Sequence, residues 1–560
     1  MVEILSHSTP VHELNALIID NQNLVHDVLG NALNEIGINN VSSAFNAYHA
    51  LRLCEEQTFD FVLIAFNVSC DKDGFHLFEE LKHLQHITEK TTVVFLSAET
   101  SQELVNCIVE LQPDDFWVKP LDSKRVVQRL TWLLKIRQSL HKLLNCLYNK
   151  EYAKAIYYAE RQLQSDEVAE FHPRLKRIIG DCYFSLREFG TAEQYFRGLL
   201  SEYNHAWVHI GLVKALIKQE KMEEAETLIE DLIVRADTRF HVFDLLAQYY
   251  IEKSQFEKAY EQMQQACKLA PRNIERNKRL WDLARLNHDK PGQLAAVQSM
   301  AKFAKNSIHD SPELSLNVIR ATLDMATASS AAETTTLIRK AESDIALLEK
   351  HKGLEKVLAE QFSVMRARVL CLKKEKKAAE VIMKSKKMHT DGLSMEDNLD
   401  KMKAFHELGM REQCLALLDK LRNQIEGDTF ASQVVDEYIQ QESIERKDIS
   451  FTTVELKEMA SVNYKENRFI PAYNNLKQAL TLSPSNKQIA LSLLKVLVQL
   501  NKKEPLNNDQ QDQAIKAAMS LLKVSLAETQ AAKRDEYIRC LHIQTALDEL
   551  RAEPSSLLAS

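Results

Sequence analysis

An α/β doubly wound parallel sheet followed by a long all-α array of paired helices is the architecture this sequence predicts, on three observations. Up to about Arg137, short apolar runs alternate with amphipathic stretches. Beyond that point the strand signal vanishes. In the helical remainder, one spacing of small, aromatic and proline residues recurs.

The first part reads as follows. Ala16-Leu17-Ile18-Ile19-Asp20 is a buried strand, and Phe61-Val62-Leu63-Ile64-Ala65-Phe66 is another. Thr92-Val93-Val94-Phe95-Leu96 and Phe116-Trp117-Val118 have the same character. Near-continuous apolar runs of this length fit strands covered on both faces. His26 to Glu35, Tyr48 to Glu55 and Phe75 to Leu84 carry helical periodicity between them. Strand-helix alternation gives a parallel sheet with helices on both sides. In such sheets the functional crevice lies at the carboxyl ends of the strands. Here those ends carry Asp20, the Phe66-Asn67 turn, Ser97 and Lys119.

No Gly follows Lys119 before Leu143, and no Pro beyond Pro120. Val126, Val127, Leu130, Leu133, Leu134 and Ile136 continue at helical spacing into Leu140, Leu143 and Leu144. The last helix of the sheet domain is therefore expected to run into the first helices of the array.

The array has a ruler. Around Ala259 it finds Ala247, Tyr250, Phe256, Met263, Ala266 and Pro271. Around Ala472 it finds Ala460, Asn463, Phe469, Leu476, Ala479 and Pro484. Around Ala192 it finds Gly180, Tyr183, Phe189, Phe196 and Leu199, and weaker copies centre on Ala155, Ala225, Ala379 and Cys414. Small residues on two successive helices permit close antiparallel packing, the aromatic wedges into the next pair, and the proline ends the unit. The pattern resembles the tetratricopeptide repeat, a helix-turn-helix of ~34 residues. The best copies fall near 173–206, 240–273 and 453–486, within an array expected over 138–550. Ser307 to Leu358 is helical but out of register, so degenerate repeats are expected there. Residues 1–14 and 551–560 are expected to be flexible ends.

Composition agrees. Only 12 Gly and 11 Pro in 560 residues leave little material for tight turns, and no glycine cluster could cradle a phosphate. A net charge of -8 argues against general nucleic-acid binding, which depends on neutralising phosphates. The 9 cysteines are scattered from Cys54 to Cys540 without a CxxC pair, as expected for reduced thiols in a cytoplasmic protein. MVEILSHSTPVHELN lacks a basic segment followed by an apolar one, so no secretory signal is expected. No apolar run approaches the ~18 residues a membrane span needs.

About residues 15 to 137 resemble the response-regulator receiver domain, a flavodoxin-like module of bacterial phosphorelays. Ala16-Leu17-Ile18-Ile19-Asp20-Asn21 is similar to the family's first strand and its Mg²⁺-binding acidic end. Leu96-Ser97-Ala98-Glu99 is similar to the fourth, whose Ser or Thr contacts the phosphoryl group. Phe116-Trp117-Val118-Lys119-Pro120 is similar to the fifth, with its Lys-Pro. The resemblance places the phosphoacceptor aspartate at the end of the third strand, where this chain has Ala65, with Asn67 two residues on and Asp73-Gly74 closing the loop. Asn21 stands where the family carries a second acid, and the loop Val68-Ser69-Cys70-Asp71-Lys72 lacks the usual proline. Mg²⁺ is held in receivers by about three carboxylates, which Asp20 alone does not supply. The resemblance thus implies a vestigial pocket of Asp20, Asn21, Ala65, Asn67, Ser97 and Lys119, with Lys119 turned to Asp20. Ser97 and Phe116 hold the positions of the family's conformational switch and are expected here as packing residues.

The expected function is a non-enzymatic bacterial signalling adaptor of two-component type, without cofactor, metal or catalytic residues. Protein partners are expected on the concave repeat face and on the receiver's fourth and fifth helices; self-association is allowed, and neither nucleic acid nor membrane is expected. The alternative is a regulator switched by a phosphate-independent input, such as binding a kinase or another receiver. A hydrolase would need convergent polar residues that the sequence does not display. A nucleic-acid regulator would need a basic stripe beyond the run from Lys373 to Lys387, which reads as a solvated helix face.

Overall fold

The computed structural model describes residues 10–68, 72–329, 331–351, 353–385, 393–424 and 430–552. Residues 1–9 and 553–560, loop residues 69–71, and Lys386 and Lys387 of the basic run lie outside the described residues.

The fold is a five-stranded parallel sheet with flanking helices, followed by a long all-helical region. Strands β1 (Asn15–Ile19), β2 (Asn40–Ala44), β3 (Phe61–Ala65), β4 (Thr92–Ser97) and β5 (Asp115–Val118) take the order β2-β1-β3-β4-β5. Helices α1 (Asn23–Glu35), α2 (Ala47–Glu56), α3 (Gly74–His83), α4 (Gln102–Leu111) and α5 (Ser123–Tyr148) alternate with them. The apolar runs of β3 and β4 are buried throughout, as central strands between two helical layers must be. The edge strand β2, Asn-Val-Ser-Ser-Ala, is polar and half-exposed and gives no apolar run in the sequence.

The helices that follow are α6 (Tyr152–Gln162), α7 (His172–Ser185), α8 (Phe189–Leu199), α9 (Ala206–Lys218), α10 (Met222–Val234), α11 (Arg239–Glu252) and α12 (Phe256–Leu269). Next come α13 (Ile274–Leu286), α14 (Lys290–Ala304), α15 (Pro312–Ala328), α16 (Ala331–Glu349), the single turn α17 (Leu354–Val357), α18 (Ala359–Leu372) and α19 (Lys376–Met383). The chain continues through α20 (Met395–Glu407), α21 (Arg411–Gln424), α22 (Phe430–Asp448), α23 (Thr453–Lys465) and α24 (Phe469–Leu482). It closes with α25 (Lys487–Lys503), α26 (Asn508–Leu522), α27 (Glu528–Leu541) and α28 (Gln544–Ala552).

The chain divides into two compact units. One comprises Met1–Tyr249, Gln264–Ile274 and Phe303–Asp310; the other comprises Tyr250–Met263, Glu275–Lys302 and Ser311–Ser560.

Within the first unit, α5 serves two cores. Val126, Leu130, Leu133 and Leu134 pack under the sheet, whereas Ile136, Leu140, Leu143 and Cys146 pack against α6 and α7. Residue 137, the expected domain boundary, lies inside this unbroken helix of 26 residues. Arg137 there donates to the carbonyl of Asp60 at 3.3 Å and also to the Asp60 carboxylate, tying α5 to the entry of β3.

Helical pairs show a backbone period that no residue type announces. Lys150, Arg187, Glu220, Ser254 and His288 all have φ between 51° and 61°, at intervals of 33 to 37 residues, each just after the first helix of a pair. A left-handed residue there ends the helix and turns the chain back. Ala155, Ala192, Ala225, Ala259, Ala379 and Ala472 of the ruler are completely buried, as is Ala247. Ala460 is buried as well, Tyr183 and Tyr250 are half-buried, and Pro271 and Pro484 stand in the turns after α12 and α24.

Gly180 shows why a small residue is needed. A Cβ there would lie 2.4 Å from the ring of Phe196, and a Cβ at Gly211 would meet the same ring at 2.4 Å. Gly180→Ala is therefore expected to destabilise by roughly 1–3 kcal/mol, overpacking outweighing the helix propensity gained. Gly198 on α8 faces open space, so Gly198→Ala should instead gain a few tenths of a kcal/mol up to about 1. Urea midpoints of the two variants check the contrast.

The second unit buries a network of charges. Arg285 of α13 reaches Glu396 of α20 at 3.0 Å, and Arg320 of α15 reaches Asp397 of α20. Arg368 of α18 donates to Asp324 of α15 at 2.8 Å and to Asp400 and Glu407 of α20 at 2.7 and 2.8 Å. From α20, Lys401 pairs with Glu360 at 2.7 Å and Lys403 with Asp324 at 2.5 Å. Buried charges persist only when paired in this way. Burial pushes the Asp282 carboxyl up to about 7, and Arg285 only partly offsets it.

The described lysines of the basic run, by contrast, lie on a solvated face. Lys373, Lys374 and Lys376 hold Glu342, Glu458 and Glu455 in partly exposed pairs, and Lys384 holds Glu380.

Candidate functional site

Parallel register places the candidate residues at one rim of the sheet. Ile19 pairs with Ile64, Ala65 with Leu96 and Ser97 with Val118, so Asp20, Ala65, Ser97 and Lys119 occupy neighbouring strand ends. The side chain of β3 at this rim is a methyl group, and it is buried.

Asp20 is completely buried and fully engaged. Its Oδ2 accepts from Lys119 Nζ at 2.5 Å, and its Oδ1 accepts from the Gln22 amide at 2.9 Å. His26 Nε2 lies 2.8 Å from the Asp20 carbonyl oxygen, while its Nδ1 lies 3.1 Å from Ser43 Oγ. Sequence reasoning passed over His26, because a histidine one turn into an amphipathic helix carries no distinguishing spacing. Its ring also lies 4.2 Å from that of the half-exposed Phe45.

Ser97 points along its own chain. Its hydroxyl donates to the Glu99 carbonyl at 2.9 Å and accepts from the Glu99 amide at 3.0 Å. Its carbonyl takes the Lys119 amide at 2.8 Å, and the Lys119-Pro120 peptide is cis. Asn21 and Asn67 are exposed at the rim. The candidate set therefore separates into a closed Asp20–Lys119 pair, a self-bonded Ser97, a buried methyl and two exposed amides.

Either side of residues 69–71, the chain end after β3 and the start of α3 meet. Gly74 donates to the Phe66 carbonyl at 2.6 Å, and Asp73 caps α3 by accepting from the His76 amide at 3.0 Å. A residue from far along the chain reaches Asp73. Arg272, from the turn after α12 and within the same unit, donates to Asp73 Oδ2 at 2.5 Å. Its guanidinium lies 4.8 Å from the Phe66 ring and 5.3 Å from that of Phe303.

The same turn covers α4. Asn106 donates to the Leu269 carbonyl at 3.1 Å, Asn273 bonds Glu110, and Ala270 joins the core cluster of the sheet. The side of α4 that carries Asn106 and Glu110 is thus taken by the chain's own turn. The physical reason is complementarity that local pattern does not display: a small residue followed by Arg and Asn meets an apolar helix flanked by carboxylates. Burial here pushes the Cys107 thiol up to about 11.

Among the described residues, no three His, Cys, Asp or Glu converge so as to hold a metal ion. No helix among them is long and apolar enough to cross a membrane.

Residues 16–131 match the family described as the response regulator receiver domain. No curated protein matches the chain. Among solved structures, the chain is similar to the BeF3-activated DrrB receiver domain (19% identity, 22% of this chain and 97% of that one, TM-score 0.20). A response regulator from Thermotoga maritima is similar over the same share (20% identity, 22% and 98%, TM-score 0.20). A chain of the APC/C hetero-tetramer Cut9-Hcn1 is similar over 75% of this chain and 87% of its own length, at 15% identity and a TM-score of 0.34.

Proposed function

We propose that this chain is a non-enzymatic signalling adaptor, in which a receiver that takes no phosphoryl group is joined to a tetratricopeptide-like array that binds other proteins. The observation that carries the reading is Ala65. A methyl ends β3 beside Asp20, and a methyl cannot accept a phosphoryl group. Asp20 is neutralised by Lys119, and Asn21 adds no charge, so the rim lacks the anionic oxygen that a hard dication requires. The array suits binding because helical repeats expose long faces to peptides and helices.

Incubation with a small-molecule phosphodonor and Mg²⁺, followed by intact mass measurement, is expected to leave the mass unchanged. A stoichiometric phosphoryl adduct on residues 16–131 overturns the reading. Ala65→Asp alone should recover little phosphorylation, and Ala65→Asp with Asn21→Asp more.

A second reading, a receiver switched by a phosphate-independent input, is favoured by one observation: the turn carrying Arg272 already sits on α4.

A further inference from the structure

We propose that the turn Leu269 to Asn273 is a built-in ligand of the receiver, and that a protein presenting an arginine must displace it to use the α3–α4 face. This rests on the receiver acting as a docking module, and it assigns that module its occupant and its mode of control.

The contact has the make-up of a recognition site. Its centre is the Arg272 guanidinium, held between the Phe66 ring at 4.8 Å and the Asp73 carboxylate at 2.5 Å. An arginine so placed combines a charge-assisted hydrogen bond with a cation–π contact. Around it, Ala270 is completely buried against the core of the sheet domain, and Asn106 fixes the backbone by donating to Leu269. On the far side Asn273 bonds Glu110. A buried small anchor, a central cation and a polar rim are the parts of a small interface.

The position of the contact connects it to the rim. Asp73 caps α3, and Gly74 closes the loop on Phe66, the residue after Ala65. The cation therefore grips the segment that leaves the candidate pocket. In a receiver whose β3 ends in a methyl, the charge that meets the start of α3 comes from the turn and not from the strand.

The face that the turn covers states what else would bind it. It presents an aromatic ring, the Asp73 and Glu110 carboxylates and the Asn106 amide. Acceptors around a ring select a guanidinium, because its planar fork bonds a carboxylate while its face stacks. The competing partner is accordingly an arginine-bearing loop or helix end, for which residues 269–273 are the internal mimic.

Hydrogen exchange on the full chain tests this. Arg272→Glu is expected to raise exchange about tenfold in residues 72–74 and in α4, leaving β1 and β4 unchanged. Arg272→Lys, which keeps the charge, should lose less protection than Arg272→Glu. A synthetic peptide of residues 264–276 added to the Arg272→Glu chain should restore protection, and the same peptide with Arg272→Ala should not. Unchanged α4 exchange in Arg272→Glu overturns the proposal. So does a rise that spreads into β1 and β4, which marks Arg272 as merely structural. Failure of the arginine peptide to restore protection overturns the displaceable ligand. None of these outcomes depends on whether residues 16–131 take up phosphate, so the two readings fail separately.

Discussion

Arg368→Ala is expected to destabilise the second unit by about 3–5 kcal/mol, the usual consequence of removing one partner from a buried ion pair. Arg368 is 1% exposed and donates to Asp324, Asp400 and Glu407. Removal leaves Asp324 with Lys403, but takes from Glu407 the guanidinium that bonds it. Burial already holds the Glu407 carboxyl above the usual carboxylate range even with Arg368 beside it. Without the arginine that carboxyl rises further. A carboxyl whose folded pKa exceeds its unfolded one favours the folded state at low pH, and that contribution is lost as pH rises through the folded value. The deficit of the variant should therefore shrink as pH falls from 7 towards 5. Arg368→Lys keeps the charge without the planar fork and should fall between the two. Urea unfolding at both pH values, with hydrogen exchange over α15, α18 and α20, reads the result. A loss below about 1 kcal/mol would mean that the three carboxylates are not held by this residue.

Gly74→Ala should cost the sheet domain about 3 kcal/mol or more, at the upper end of what overpacking does. A Cβ at Gly74 would lie 2.0 Å from the Ala65 carbonyl oxygen, 2.9 Å from its carbon and 3.2 Å from Phe66 Cα. All three are backbone atoms of the strand end, so no side chain can swing aside. The alanine must push the start of α3 away and break the 2.6 Å bond from Gly74 to Phe66. Thermal unfolding and exchange over residues 72–83 check this. Ala65→Gly should not rescue the variant, because the clash is with the carbonyl and not with the methyl. Rescue would show that α3 starts elsewhere.

How far the sequence could be read depended on whether burial and polarity agree. β1, β3, β4 and β5 were legible because their runs are apolar on both faces, and the ends differ from the reading by about one residue. β2 was not legible, because Ser42 and Ser43 on an edge strand look like loop. Ala65 and Lys119 could be placed from flanking motifs, whereas Arg272 could not, since its partner Asp73 lies 199 residues away. Arg320, Asp324 and Arg368 were not legible either: charged residues in a periodic helix ordinarily mark the wet side, and here they are buried. The turns of the helical pairs were hidden because Lys150, Arg187 and Glu220 adopt the left-handed conformation usually signalled by glycine.

The charges of the second unit also bear on elasticity. A stack of helical pairs that touch only their sequence neighbours stretches like a spring, each pair yielding a little. Here α20 is tied to α18, to α15 and, across 111 residues of sequence, to α13. Tension applied to the stretch 274–407 must strain several of these ties together before any one pair can open. Give under load is therefore expected mainly from helices outside the ties, α23 to α28, which are joined to one another chiefly by apolar packing.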